Sequence, residues 1–487
     1  MYIFQYFRIN TRSCIWFFII TVIIIFGIHS CNVEAAGTPI TVTVKQGARQ
    51  TFAGLGVSKT LGGGQKYSKI EQSDKDLLNK LVWSDANFKI LRLWFNPNKY
   101  APQAGKENSS QFVKSFIKSG IISDALAHGS TKLLLAPDRI PKYMGPPIKG
   151  GYIFDSEIKN YAALLANFIF QLKQKYGVVI HATGVLNEPN DKFTRISKSQ
   201  WPIMIKYLRQ ELDNRDLENV KIVAPELANA DSHAVKFIKT IKEDSQAWDS
   251  LAAISTHSYN MAATQTISDL IEGTDKEYWQ TEAGTTGPEA LGNALNAASS
   301  ASRFLNDMNH LVTHWIWFIG YQYADKKDDA TRLIRYSTNP FRYDILQKYY
   351  YFLQLSKTFD VGAVFRKSIS SLEGDMKWTY GKKPKITVAS AKNPDGSWGI
   401  ALSNYTSNRF IAPNTSNWTR TQKGYKAQTF KVTVFVEELA QVGDINMKMY
   451  RSNSNVNNVY LGNTVMHNGK VTVSQVKSLD LITLRNK

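Results

Sequence analysis

Cysteine is nearly absent from this chain. Its 487 residues contain two, Cys14 and Cys31, both before residue 37. Beyond that point disulfide stapling, thiol nucleophiles and thiolate metal sites are excluded. Histidine is scarce too, at eight residues, and no close His/Asp/Glu cluster has ligand spacing. No metal and no cofactor is expected. Neither a phosphate-cradling loop nor a dinucleotide fingerprint is present; Gly62-Gly63-Gly64 reads as a flexible turn on the rim of a cleft. A membrane-spanning run is also missing. The apolar stretch Ile15–Ile28 falls short of the roughly 20 residues that cross a bilayer.

That stretch follows Arg8 and Arg12 and precedes the small-residue segment Val33-Glu34-Ala35-Ala36-Gly37, the layout of an export signal. Residues 1–36 are therefore expected to be a signal peptide, cleaved after Ala35 or Ala36, and the mature chain to be secreted without stable membrane insertion. Sequons begin at Asn108, Asn404, Asn414 and Asn417, the acceptors of a glycoprotein in a eukaryotic secretory route. Lys and Arg number 59 against 40 Asp and Glu, a net charge of +19. The excess is densest in residues 361–487, with 18 Lys and Arg against 7 Asp and Glu. An acidic glycan suits such a surface, and so does plain solvation. Nucleic acid is not expected, for no binding motif occurs and export argues against it.

Aromatic residues are plentiful, at 12%, and hydrophobic residues reach 43%, enough for a large core. Eight strand candidates alternate with helical stretches: Thr51–Val57, Phe88–Trp94, Thr131–Ala136, Val179–Leu186, Lys221–Pro225, Ala252–Ser255, Glu277–Thr281 and Thr313–Phe318. Between them Ile158, Tyr161, Leu165, Phe168 and Leu172 recur at helical steps until Gly177. Eight such units predict an α/β fold, a (β/α)₈ barrel over residues 51–360. From residue 361 to 487 the texture becomes short alternating runs between Asn, Gly, Pro and Ser, the composition of a C-terminal β-sandwich. Residues 37–50, with Ile40-Thr41-Val42-Thr43-Val44, are expected to add an N-terminal strand to it.

Two segments carry chemistry. Gly184-Val185-Leu186-Asn187-Glu188-Pro189 closes the fourth strand candidate, and Tyr278-Trp279-Gln280-Thr281-Glu282-Ala283-Gly284 the seventh. Barrel enzymes place their catalytic groups at the C-terminal ends of strands. Two carboxylates facing each other there suit glycosidic hydrolysis: Glu188 as acid/base, Glu282 as nucleophile, roughly 5 to 5.5 Å apart for retention. Asn187 is placed to hydrogen-bond a sugar 2-hydroxyl.

The strand-four Asn-Glu and strand-seven Glu resemble the clan of retaining (β/α)₈ glycosidases, and within it the chain most resembles glycoside hydrolase family 30. Gln50-Thr51-Phe52-Ala53-Gly54-Leu55-Gly56 is similar to that family's approach to the barrel, Ile90-Leu91-Arg92-Leu93 to its second-strand arginine segment, Ser255-Thr256-His257-Ser258-Tyr259 to its sixth-strand His-x-Tyr, and Trp315-Ile316-Trp317 to its eighth-strand tryptophans. The resemblance implies that Arg92 keeps the nucleophile ionised, that His257 and Tyr259 line the catalytic subsite with Tyr259 bonded to Glu282, and that Trp317 is the floor on which the sugar stacks. Trp94-Phe95-Asn96-Pro97-Asn98 lacks the aspartate of glucosylceramide-cleaving members. Ala136-Pro137-Asp138-Arg139 replaces the usual Ser-Pro-Trp, and Asp138 with Arg139 reads equally as a substrate contact or a buried pair. The expected partner is a β-linked polysaccharide: xylan or glucuronoxylan, β-1,6-glucan or β-1,6-galactan. A glucosylceramidase-like enzyme and a non-catalytic carbohydrate-binding barrel are the alternatives.

Overall fold

The computed structural model describes residues 37–487 apart from 260, 286–288, 290, 325–329, 373–385, 412–418 and 422–425. Residues 1–36, expected to be a signal peptide, both cysteines and the sequons at Asn414 and Asn417 lie outside the described residues. All eight expected barrel strands form: β1 (Gly54–Lys59), β2 (Ile90–Phe95), β3 (Lys132–Pro137), β4 (Ala182–Gly184), β5 (Lys221–Leu227), β6 (Ala253–Ser258), β7 (Glu277–Ala283) and β8 (Val312–Trp317). They pair in parallel and close, β8 returning to β1 through Trp317 opposite Val57.

Side chains alternate along each strand, so one residue in two enters the barrel. Ile90, Leu134, Ala182, Val223, Ala253, Trp279 and Ile316, one from each of β2 to β8, form a buried layer inside it. β1 contributes Gly56, where a Cβ would stand 2.8 Å from the Ile90 Cβ and carbonyl oxygen and 3.0 Å from Ile316. With no room there, Gly56→Ala is expected to destabilise the fold by about 1 to 3 kcal/mol, read as a lower midpoint in denaturant.

The amphipathic stretch read from the sequence forms the helix Ile158–Tyr176. It buries Ile158, Tyr161, Leu165, Phe168 and Leu172 and ends on Gly177 at φ +64, the left-handed cap that glycine tolerates. Among the described residues no helix is long and apolar enough to cross a membrane.

Among the described residues ten further strands make one sheet that carries its own apolar core, with Val388, Leu402, Val432, Val434 and Leu484. The segment Thr38–Val44 joins it, parallel to Phe430–Val436 and antiparallel to Ser368–Ser370. The same core takes Ile40 and Val42 from this strand and Ile386 and Val388 from the far side of the sheet. Barrel and sheet share apolar packing through Phe365, Ala389, Ala401 and Leu481, and polar bonds as well: Ser302 Oγ to Ser403 Oγ at 2.9 Å, and Asn309 Nδ2 to the Val388 carbonyl at 2.7 Å. The sequon residue Asn404 is fully buried, its amide donating to the Gln428 and Val476 carbonyls at 2.9 and 3.0 Å. That asparagine is closed to a glycan in the folded chain, whereas Asn108 is exposed.

Candidate active site

Strand phase decides which groups meet at the barrel mouth. On β2 the inward residues after Ile90 are Arg92 and Trp94; on β6, after Ala253, they are Ser255, His257 and then Tyr259. On β7 the inward Trp279 would leave Glu282 pointing out by simple alternation. The pairing slips between Gln280 and Glu282, so that Glu282 stands opposite His257. This bulge turns the carboxylate into the barrel. Beyond β4 the Asn187 N–H donates to the Pro137 carbonyl at 2.7 Å and the Glu188 N–H to the Glu226 carbonyl at 3.0 Å. The ladder thus carries both residues to the rim.

The side chains form one buried network. Arg92 Nη1 donates to Glu282 Oε2, and Nη2 donates to Asn187 Oδ1 at 2.6 Å. The Tyr259 hydroxyl donates to Glu282 Oε1, so both Glu282 oxygens are held. His257 Nδ1 meets Glu188 Oε1 at 3.0 Å. Arg92, His257, Asn187 and Glu282 are all buried, and Glu188 keeps 20% of its side chain exposed. One oxygen of Glu188, one of Glu282 and a ring nitrogen of His257 lie within 4.8 Å of one another. Arg92 and His257 already place positive charge among these carboxylates. An added metal ion would meet them as like charges.

The sequence reading missed one member. Glu226 is 1% exposed on β5. Its Oε1 is 3.5 Å from Arg92 Nη2 and 4.0 Å from His257 Nε2. It sits at a slip in pairing between Pro225 and Leu227, with φ +53. Pro225 had marked the end of the strand candidate, and the charged residue just beyond an apolar run was the signal available. Three carboxylates therefore share two cations. Burial depresses the His257 imidazolium, but the charges of Glu282, Glu188 and Glu226 outweigh it and carry its pKa up to about 9. Burial raises Glu188, yet the hydrogen bond and charge of His257, with Lys192 and Arg92 beyond, hold it below the usual carboxylate range. Burial and the neighbouring carboxylates Glu282 and Glu188 push the Tyr259 hydroxyl well above its ordinary value, which keeps it a donor.

Trp317 is a correction. It is fully buried, stacks on Trp315 with centroids 6.1 Å apart, and packs on Phe352 of the helix Gln347–Thr358 at 5.4 Å. Ile316, between them on the strand, is the inward residue, so both tryptophans face the outer helices. Inward phase falls next on Phe318, half-buried against Trp94 at 5.5 Å and 33°. These two rings, neither singled out from the sequence, are the aromatic surface at the mouth. Phe318→Ala is expected to raise KM about tenfold with a modest change in kcat, checked by steady-state kinetics. Asp138 is buried and pairs with both Arg139 at 3.1 Å and Lys192 at 2.9 Å, while Arg139 stays 60% exposed on the rim.

A family model described as Glycosyl hydrolase family 59 matches residues 130–338. That segment holds Asn187, Glu188, Glu226, His257, Tyr259 and Glu282 but not Arg92. The model matched is thus not that of family 30, the expected resemblance. Among solved structures the chain is similar to the catalytic domain of a family 30 xylanase C from Talaromyces cellulolyticus, with TM-score 0.66, 18% identity, and 92% of this chain and 100% of that one covered. It is similar also to a family 30 subfamily 8 xylanase from Clostridium acetobutylicum, with TM-score 0.65, 16% identity, and 92% and 99% covered. An endo-β-1,6-glucanase follows with TM-score 0.64, 16% identity, and 92% and 94% covered. These likenesses establish the fold, a (β/α)₈ barrel with an appended β domain. No curated protein matches the sequence.

Proposed function

We propose that this glycoside hydrolase is a secreted enzyme that cleaves a β-linked polysaccharide with retention of configuration. The observation that carries the reading is the approach of Glu188 and Glu282, whose nearest carboxylate oxygens come within 4.8 Å. Retaining enzymes hold the pair at about 5 to 5.5 Å, and inverting ones need about 6.5 to 9.5 Å to fit a water. Glu282, fixed from both sides by Arg92 and Tyr259, attacks the anomeric carbon. Glu188 protonates the departing oxygen, then takes a proton from the water that releases the sugar. Asn187, oriented by Arg92, is aimed at the 2-hydroxyl.

Supporting the choice of substrate are the basic surface and the printed activities of the similar structures, xylanases and an endo-β-1,6-glucanase. Xylan, glucuronoxylan, β-1,6-glucan and β-1,6-galactan are the candidates. Product release is measured on these four and on glucosylceramide, with wild type beside Glu282→Gln. Sugar released from one glycan by wild type alone supports the reading. Binding to a glycan with no release from any defeats it in favour of a binding barrel.

A further inference from the structure

Glu226 has no place in the two-step reaction, yet it costs the fold something to keep. A non-glycine residue at φ +53 is strained. Its carboxylate lies over Gly184, where a Cβ would come within 1.8 Å of Oε2, so β4 gives up a side chain to make room. It is as buried as the core, in a site where an uncompensated charge is heavily penalised. Its compensation comes from the two cations that hold the catalytic pair: Arg92, bonded to Glu282, and His257, bonded to Glu188. His257 thus has a carboxylate facing each ring nitrogen, Glu188 at Nδ1 and Glu226 at Nε2.

We infer that Glu226 is a positioning residue that fixes Arg92 and His257 from the inner side and makes His257 the proton store for Glu188. The inference rests on the retaining reaction proposed above. In the free site the pair is Glu188 carboxylate and His257 imidazolium. When substrate displaces water from Glu188, the Nδ1–H bond breaks and an O–H bond forms on Glu188 Oε1. That proton passes to the glycosidic oxygen as its bond to the anomeric carbon breaks and Glu282 bonds to the same carbon. In the second step water gives its proton to Glu188 and its hydroxyl to the anomeric carbon, freeing Glu282. The proton then returns to Nδ1, and no outside proton donor is needed. The charges acting on His257 are those of Glu188 beyond β4, Glu226 on β5 and Glu282 on β7, and Arg92 from β2 and Tyr259 just past β6 act on these same carboxylates.

The test follows the ring itself. In ¹⁵N-histidine-labelled wild type, both His257 nitrogens are expected protonated at pH 7, with a midpoint near 9. In Glu226→Gln the midpoint drops by about one unit or more, because one of the facing charges is gone. On the cleaved glycan the alkaline limb of kcat/KM shifts down with it. Turnover of the glycan falls about 10- to 100-fold, while an aryl glycoside with a dinitrophenolate leaving group, which needs little acid help, falls less than about threefold. Glu226→Asp recovers part of each change. A merely structural role would slow both substrates alike and leave the midpoint alone. A neutral ring at pH 7 in wild type overturns the inference, even if Glu226→Gln does not fold. A midpoint unmoved in the variant also overturns it while the glycan is still cleaved. If no glycan is cleaved by wild type, the reaction itself fails, and the proton store with it.

Discussion

Glu282→Gln is expected to lower turnover on the cleaved glycan by about 10⁴-fold or more, with binding largely kept. The amide matches the carboxylate in size and can still accept from Tyr259, but it cannot form the glycosyl-enzyme. What remains is whatever the barrel supplies by binding and by Glu188. Glu188→Gln should cost less, about 10² to 10⁴-fold, and the loss should shrink as the leaving group improves, since only the proton is missing. Covalent trapping separates the two. With a slow-leaving 2-fluoro sugar and an activated aglycone, wild type should gain the mass of one glycosyl unit on the peptide containing Glu282, and Glu282→Gln should gain none. The first-formed anomer, followed by proton NMR before mutarotation, should match the substrate. An inverted anomer would exclude the double displacement, whatever the mutants do.

The barrel was legible because its signal is long and periodic. Eight apolar runs at βα spacing leave little alternative to closure, and the helix Ile158–Tyr176 ended on the glycine that the pattern marked. The sheet of the second domain is legible in runs such as Phe430–Val436, whose alternation is clean. Val459–His467 gives a weaker signal, because it is largely exposed and breaks its apolar face at Gly462. The site was legible in its residue types but not in their phase. Period-two counting along β8 treats Trp315 and Trp317 as equals, yet says nothing of which face enters the barrel. That is fixed by neighbours such as Ile90 and Trp279, distant in sequence, beside which Ile316 sits. Glu226 was hidden for a related reason. A bulge has no sequence period, and the same irregularity that turned Glu282 inward on β7 put an extra carboxylate under the site on β5.

Arg92→Leu is expected to be the most damaging change away from Glu188 and Glu282. The guanidinium is fully buried, bonds Glu282 and Asn187, and stands 3.5 Å from Glu226. Leucine fills part of the volume but leaves His257 as the one fully buried cation described among three carboxylates. Removing one partner from a buried ionic network costs about 3 to 5 kcal/mol, far more than an intact network contributes over an apolar one. The loss should appear as a large fall in thermal midpoint at pH 7, together with activity near that of Glu282→Gln. The pH dependence tells this mechanism from simple loss of packing. In wild type, Glu188 and Glu226 titrate below the usual range. Their contribution to stability is present above about pH 4.3 and is lost as the pH falls through their lowered values. Without Arg92 those values rise, so the variant should lose less stability than wild type between about pH 5 and 3, and the gap between the two should narrow in acid. His257 works in the other direction: raised to about 9, its contribution is present below about pH 6.5 and is lost as the pH climbs through 9. The variant depends on that one remaining cation and should therefore fail first in alkali. Arg92→Lys restores a charge but not the planar fork that reaches Glu282 and Asn187 together. It should regain much of the midpoint and little of the turnover. Equal recovery of both would mean that charge alone, not the two-pronged orientation of Glu282 and Asn187, is what Arg92 supplies.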